Sequence, residues 1–492
     1  MARYLLGIDV GTTGTKTLLF SEDGALLGHA YQAYAMKTPR VGWSEQDAED
    51  WWQAVVQTVR QVCADPEIAQ NVAAISLSLQ GGTLVAVDEN GQQLRPAMVW
   101  NDIRCTQQRQ EYLQEGGTAR SLYETTGWAL SDGLPLLQIR WMREQEPELF
   151  ERAAMFLTVP DYISLKMTGI PAVDLSDAGI NQLIDIRTGD YDDTLLQFAG
   201  VTRGQLPKLV RSGDVIGPLT AEAAEALGLT ENCLLVAGAH DQYAVALGAG
   251  ATKAGDILIG SGTCWVVTAI SDAPSFSAGL SQSVAAVPGK WGSLLSLSSG
   301  GVCLDWLRRS MASPEQPIGY GELNTRIAQI KAAEDGLFFY PFSGKSRADA
   351  NFQKGSFVGL DLSHDKFHMA RAVMEGVAFQ AQWMMESFST KPSAEGLKLA
   401  GGASKSSAWS QITADITGLP VRIPEVADLA CVGAAILAGT GCGIFSDAAE
   451  GYRRLAVQER VLYPNPKQTA IYAPLVKEYR RCAEVLGGVY GL

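Results

Sequence analysis

Histidine is scarce in this chain, with four residues in 492, and the eight cysteines are scattered with no CxxC pair among them. That excludes the common zinc-ligand spacings and a redox dithiol, and it suits reduced cysteines used as small buried hydrophobes. Positive charge is short as well. Lys and Arg number 39 against 53 Asp and Glu, a formal net charge of −14, so neither nucleic acid nor an anionic membrane is an expected partner. No apolar run approaches the ~18 residues of a spanning helix. No secretory pattern precedes the first strand, and the expected compartment is cytoplasmic. What is present is ordinary globular material, 47% hydrophobic and 19% charged, in a length that suits two or three domains at roughly 150 residues each.

The chain opens on an apolar strand, Tyr4 to Val10, then a small-residue turn from Gly11 to Lys16, then a second strand at Thr17 to Phe20. The same grammar returns at Asp256 to Ile259, Gly260 to Thr263 and Trp265 to Thr268. Two glycine-threonine hairpins half a chain apart suggest an internal duplication. They imply two halves, 1–248 and 249–492, divided in the Gly/Ala-dense stretch from Gly248 to Gly255. Between the strands, Trp52, Val55, Val56, Val59 and Val62 recur at helical spacing behind a capping Asp47. Trp409, Ile412 and Ile416 mark a second amphipathic helix. Strands alternating with such helices give an α/β architecture. The stretch Val432 to Gly439 reads as a helix small enough to pack closely at a junction between the halves, or simply as a close-packed helix.

The first hairpin carries the strongest chemistry. Gly11 and Gly14 permit a tight turn close to a ligand, and its backbone N–H groups suit an anion. Thr12, Thr13 and Thr15 add hydroxyls and Lys16 a compact charge. Asp9 beside a phosphate makes sense with a Mg²⁺ ion between them. A glycine hairpin without a ligand would look the same, but a second one at Ser261, Gly262 and Thr263 allows two loops to hold one polyphosphate. Gly344-Lys345-Ser346 mimics the end of a P-loop, yet position 339 is Phe339 where glycine is required, which excludes a Walker A site. In Lys398 to Ser406 a strand runs through Gly401 and Gly402 into a helix start, a place where a flat adenine could lie on bare backbone.

Taken together, the segments Gly7 to Lys16, Pro96 to Asp102 with Arg104, Val236 to Gln242, Arg371 to Phe379 and Gly401 to Val421 resemble the FGGY carbohydrate kinases, in order and over almost the whole chain. The resemblance implies two actin-like, ribonuclease H-like lobes with ATP and Mg²⁺ in a central cleft, a sugar or polyol substrate, and a homodimer. It places phosphates against Thr12, Thr13, Ser261, Gly262 and Thr263, nucleotide at Gly300 and Gly301, and adenosine at Gly402, Ala403 and Ser406. It makes Asp241 the general base, with Asp9 and Asp241 beside the metal. Asp241 could otherwise cap a helix starting near Tyr243.

Gln80, Gly81, Gly82, Trp100, Asn101, Asp102 and Gln242 are the sugar-contact candidates, with Trp100 equally suited to a core. Family members acting on ketopentoses have a Gln-Met-His-Gly type of segment where this chain has Gln80-Gly81-Gly82-Thr83. Losing the imidazole at Gly82 should open space and change what binds. Xylulose, arabinitol, ribitol, another ketose or a larger substrate all stay open. So do two further readings, a non-kinase actin-like ATPase and a sugar-binding sensor.

Overall fold

A computed structural model describes residues 2–277, 279–311, 318–333, 336–342, 354–426, 428–455 and 458–490; the P-loop mimic at Gly344 lies outside them. Six strands of the first half form one sheet: β1 (Tyr4–Val10), β2 (Gly14–Ser21), β3 (Leu26–Ala33), β4 (Val72–Leu79), β5 (Val215–Pro218) and β6 (Leu234–His240), in the order β5-β6-β4-β1-β2-β3. Seven strands of the second half form another: β7 (Ile257–Ser261), β8 (Trp265–Ser271), β9 (Ser281–Val284), β10 (Trp291–Leu297), β11 (Leu397–Gly401), β12 (Val421–Pro424) and β13 (Glu459–Leu462), ordered β9-β10-β8-β7-β11-β12-β13. The two repeat one pattern. β1 is antiparallel to β2 and parallel to β4, as β7 is antiparallel to β8 and parallel to β11.

The predicted helix forms as α1 (Ala48–Val62), capped by Asp47, whose carboxylate accepts from Glu49 N. Trp51, Trp52, Val55 and Val59 are buried against the first sheet. The second amphipathic helix is Ser407–Thr417, and it buries Trp409, Ile412 and Ile416.

Two further helices set the geometry of the site. α2 (Asp241–Gly248) leaves the end of β6, and α3 (Leu429–Gly441) comes from the second half but packs on β1, β4, β6 and α2. α3 is buried from Ala430 through Gly439, as expected of a helix apolar on every side. Its approach to its neighbours requires glycine. A Cβ at Gly7 of β1 would stand 1.9 Å from the Cys431 carbonyl oxygen. One at Gly433 would stand 2.0 Å from that of Ala244. Among the described residues, no helix is long and apolar enough to cross a membrane.

Candidate active site

β6 ends on His240 and α2 begins at Asp241, so this aspartate stands at the carboxyl end of a parallel strand, where α/β sheets gather ligands. The register of β6 on β4 slips between Val236 and Ala239. At Gly238 a Cβ would meet the Leu77 carbonyl oxygen at 1.8 Å, so only glycine permits the irregularity that aims the strand end. The helix starts two residues before the expected Tyr243, with His240 at the cap position making no side-chain cap bond. Asp241 is therefore the first helical residue and not a cap. Its nearest recorded partner is His240 Nδ1, 3.4 Å from Oδ1.

Two cavities open at this point. One, of about 830 Å³, is lined by Asp9, Lys16, Gly401, Gly402, Asp428 and Arg460 among others. The second, of about 760 Å³, is lined by Thr12, Gln80, Gly81, Trp100, Asn101, Asp102, His240 and Gln242 among others. Asp241 is the one described residue that lines both.

In the first cavity, Asp9 pairs across the hairpin with Lys16 and accepts from Ser78 Oγ at 2.9 Å. Lys16 Nζ lies 2.7 Å from Asp428 Oδ2 and 3.6 Å from Asp9 Oδ2. Its charge is thus already shared between two carboxylates. Burial, then the charge of Asp428 and more weakly that of Asp241, pushes Asp9 up to about 7 against the opposing pull of Lys16.

In the second cavity, Gln80 is buried. Its Nε2 donates to Gln46 Oε1 at 3.1 Å, while its own Oε1 has no partner. An orphaned buried acceptor of this kind fits a ligand hydroxyl. Gln46 Nε2 in turn donates to Thr12 O at 2.6 Å, tying this cavity to the first hairpin. Trp100 is not core. It is 47% exposed, and its Nε1 donates to Thr12 Oγ1 at 3.3 Å. Asp102 is spent on its own loop. Oδ1 accepts from Arg104 N and Nε, both at 2.9 Å, and Oδ2 from Ser44 N and Arg104 Nη2, both at 2.7 Å. Four bonds fill a carboxylate, so Asp102 fixes the Trp100-Asn101 segment and has no lone pair left for a sugar.

Two family models match the chain: the N-terminal domain of the FGGY family of carbohydrate kinases over residues 4–248, and the C-terminal domain of the same family over 256–442. The xylulose kinase of Bacillus subtilis (strain 168) is 30% identical over 97% of this chain and 96% of its own length. The chain belongs to the FGGY carbohydrate kinase family. Gluconokinase of the same organism is also 30% identical, over 89% of this chain and 87% of its own. The crystal structure of xylulose kinase from Rhodospirillum rubrum superposes with a TM-score of 0.92 at 26% identity, over 100% of both chains. The fold is thus the two-lobed actin-like, ribonuclease H-like α/β fold of these kinases.

In this sugar kinase the second hairpin is exposed at Gly262 and Thr263 and joined to the other predicted turns. Gly300 N donates to Thr263 O and Gly301 N to Gly262 O, both at 3.0 Å. Ser261 holds the third turn: its backbone oxygen accepts from Gly402 N at 2.7 Å and its hydroxyl from Ala403 N at 3.1 Å.

Other expected contacts lie elsewhere. Thr15 is wholly buried, away from both cavities, because the strand pairing turns it inward. Ser406 caps Ser407–Thr417 and donates to Asn324 Oδ1 at 2.5 Å. Thr13 is exposed at the hairpin tip, where its carbonyl accepts from Tyr34 N at 3.3 Å. No opening is found at Gly82. Its φ is +73°, and a Cβ there would stand 2.8 Å from Leu134 Cδ2, so Leu134 fills the space that glycine was expected to leave.

Asp428 and Gln46 were not singled out by the sequence. Asp428 precedes a predicted helix and reads as a plain cap, which it also is, accepting from Cys431 N at 3.1 Å. Among the described residues, no three His, Cys, Asp or Glu side chains converge to chelate a metal alone. Asp9 and Asp241 nonetheless suit Mg²⁺, which takes one or two carboxylates and completes its shell with water and phosphate. Burial first, and then the charge of Asp428, disfavours a bare Asp9 carboxylate, and such an ion would offset that charge.

Proposed function

We propose that this kinase transfers the γ-phosphoryl group of ATP to a hydroxyl of a small ketose or polyol, with Asp241 as general base. The observation that carries this reading is the position of Asp241 as the shared wall of the two cavities. A sugar in the cavity of Gln80 and Trp100 meets a phosphate chain from the cavity of Asp9 and Lys16 at that residue. The sugar oxygen attacks the γ-phosphorus, the bond to the bridging oxygen breaks as ADP leaves, and the hydroxyl proton passes to Asp241. Such a transfer needs alignment and neutralised charge more than covalent chemistry. Residues 1–248 then hold the sugar and the first phosphate loop, and 249–492 the nucleotide.

The hairpin of Ser261, Gly262 and Thr263, with the turns at Gly300, Gly301, Gly401 and Gly402, supplies backbone donors for the phosphates. Mg²⁺ beside Asp9 and Asp241 would offset the negative charge of the polyphosphate. Water is kept from the reaction by closure of the cleft.

Measuring ADP release with Mg²⁺-ATP over pentuloses, pentitols, hexuloses and aldonates, beside Asp241→Ala, tests the reading. One substrate should give strong release that the variant abolishes. Release that survives Asp241→Ala would reject the base, and silence over the whole panel would reject the substrate class.

A further inference from the structure

Gln46 is a buried side chain that the proposed transfer does not yet use. It lies in the short strand Glu45–Gln46, which pairs with Ala97–Met98 just ahead of Trp100. Its amide can sit only one way round. Nε2 donates to Thr12 O at 2.6 Å, an atom that can only accept, and Oε1 accepts from Trp51 Nε1 at 3.2 Å, a group that can only donate. That orientation decides the next one. Facing the Gln46 oxygen, Gln80 has to donate with Nε2, at 3.1 Å, and its own Oε1 is left buried without a partner. Gln80 lines the cavity of Trp100, where this oxygen is the one acceptor its side chain has left.

The other end of the chain is the first hairpin. A peptide unit is planar and trans, so its carbonyl and the following N–H point opposite ways. By holding Thr12 O, Gln46 turns the Thr13 N–H away from itself. Tyr34 Oη does the same for the Thr12 N–H by donating to Gly11 O. Among the described residues neither amide is bonded within the protein, so both can donate to an anion. Of the two clamps, that of Gln46 leads back to the sugar cavity through Gln80. Trp100 also reaches Thr12, but at its hydroxyl, which aims no amide.

We propose that Gln46 couples the two cavities: a sugar hydroxyl donating to Gln80 Oε1 completes a head-to-tail chain of three amides, Gln80, Gln46 and the Thr12-Thr13 peptide, whose last N–H donates to the phosphate chain. Hydrogen bonds in series polarise one another. An amide whose oxygen accepts becomes a better donor at its nitrogen, and every link here runs in the same sense. Sugar and nucleotide therefore each bind more tightly when the other is present, by the same factor. Gln46 touches neither ligand and is a positioning residue. The inference rests on the reading of the second cavity as the sugar site and of the first hairpin as a phosphate loop.

Calorimetry with Mg²⁺-AMP-PNP, with and without the sugar that gives most ADP release in the panel above, measures the coupling. In the wild-type protein the sugar should tighten nucleotide binding about tenfold, and Gln46→Met should bring that factor to within about twofold of no coupling. Tyr34→Phe, which loosens the clamp that does not lead to the sugar, should weaken nucleotide binding with and without sugar and keep the factor. A coupling that survives Gln46→Met, or one that Tyr34→Phe removes as fully, would overturn the proposal.

Monodeoxy analogues of the same sugar test the wild-type protein even if Gln46→Met fails to fold. The analogue lacking the hydroxyl that meets Gln80 should lose the coupling, and the others should keep it. Full coupling with every analogue that binds would overturn the proposal. Because binding alone is read, turnover that persists in Asp241→Ala would reject the base and leave the coupling intact, whereas a sugar that fails to bind would reject the reading of the cavity and this proposal with it.

Discussion

Gly433→Ala tests the coupling of fold to chemistry, because two effects of known size oppose each other there. In an unobstructed helix, replacing glycine by alanine stabilises by about 1 kcal/mol. Here the new methyl would stand 2.0 Å from the Ala244 carbonyl oxygen, about 1.3 Å short of the ~3.3 Å closest C···O approach. The partner is backbone, so no side chain can swing aside. α3 is buried from Ala430 to Gly439, so it cannot retreat without disturbing β1, where Gly7 meets Cys431 O just as closely.

Overpacking of this kind costs about 3 kcal/mol at the upper end of its usual range, leaving a net loss of about 2 kcal/mol after the helix gain. The displacement also reaches the site. Ala244 lies one turn from Asp241, and α3 carries Asp428 at its cap. A shift near 1 Å between reacting groups lowers turnover by up to about 100-fold. Urea unfolding and steady-state kcat on the same preparation are the assays. Raised stability with kcat within twofold of wild type would refute the close-packing argument.

Three other perturbations have defined outcomes. Asp241→Ala should lower kcat by about 10²- to 10⁴-fold, the usual worth of a general base, with ATP binding in calorimetry retained; a loss of ATP binding that accounts for the whole effect would point to a role beside the metal instead of as the base. Arg104→Met should cost about 3–5 kcal/mol, since it leaves the buried Asp102 carboxylate without its cation, while Glu45 keeps its pairing with Arg95; the side chain is 1% exposed and 2.7 Å from Asp102, and a loss under ~1 kcal/mol in denaturant unfolding would contradict this assignment. Asp161 is buried at the start of the helix Val159–Thr168, and burial pushes it up to about 7. Its folded form holds a proton that the unfolded chain releases near ~4, so it contributes stability that is complete below that value and lost as pH rises through about 7. The loss is at most about 1.4 kcal/mol per pH unit. Asp161→Asn should remove that slope, and parallel stability curves for the two proteins between pH 4 and 7.5 would exclude it.

The sequence disclosed what short spacing controls. The glycine turns, the cap at Asp47, the helical faces of Trp52 and Trp409, and the acid at the end of β6 are each set within about one turn of chain. What it could not disclose depends on distant partners. Asp428 reaches Lys16 across 412 residues, and only the folded helix α3 makes that pair. Asp102 looked like a free sugar contact because the Ser44 amide that completes its shell lies 58 residues away. Gly82 looked like a vacancy because nothing local says that Leu134 covers it. Thr15 belongs with the phosphate loop by spacing, but strand alternation turns it inward.

The two hairpins also show how a duplicated frame comes to serve one reaction. Asp9 of β1 faces Lys16 of β2, while the matching place in the second sheet pairs Gly260 with Val266. Charge is therefore confined to one hairpin, and the other offers only backbone and hydroxyl donors. Two charged hairpins would set carboxylates on both sides of a polyphosphate, adding repulsion in a chain that already carries a net charge of −14. Two neutral ones would leave Asp241 and Asp428 without a carboxylate from the hairpin beside them. Asp9, Asp241 and Asp428 line one cavity together with Lys16, which gathers negative charge where one divalent ion could answer it.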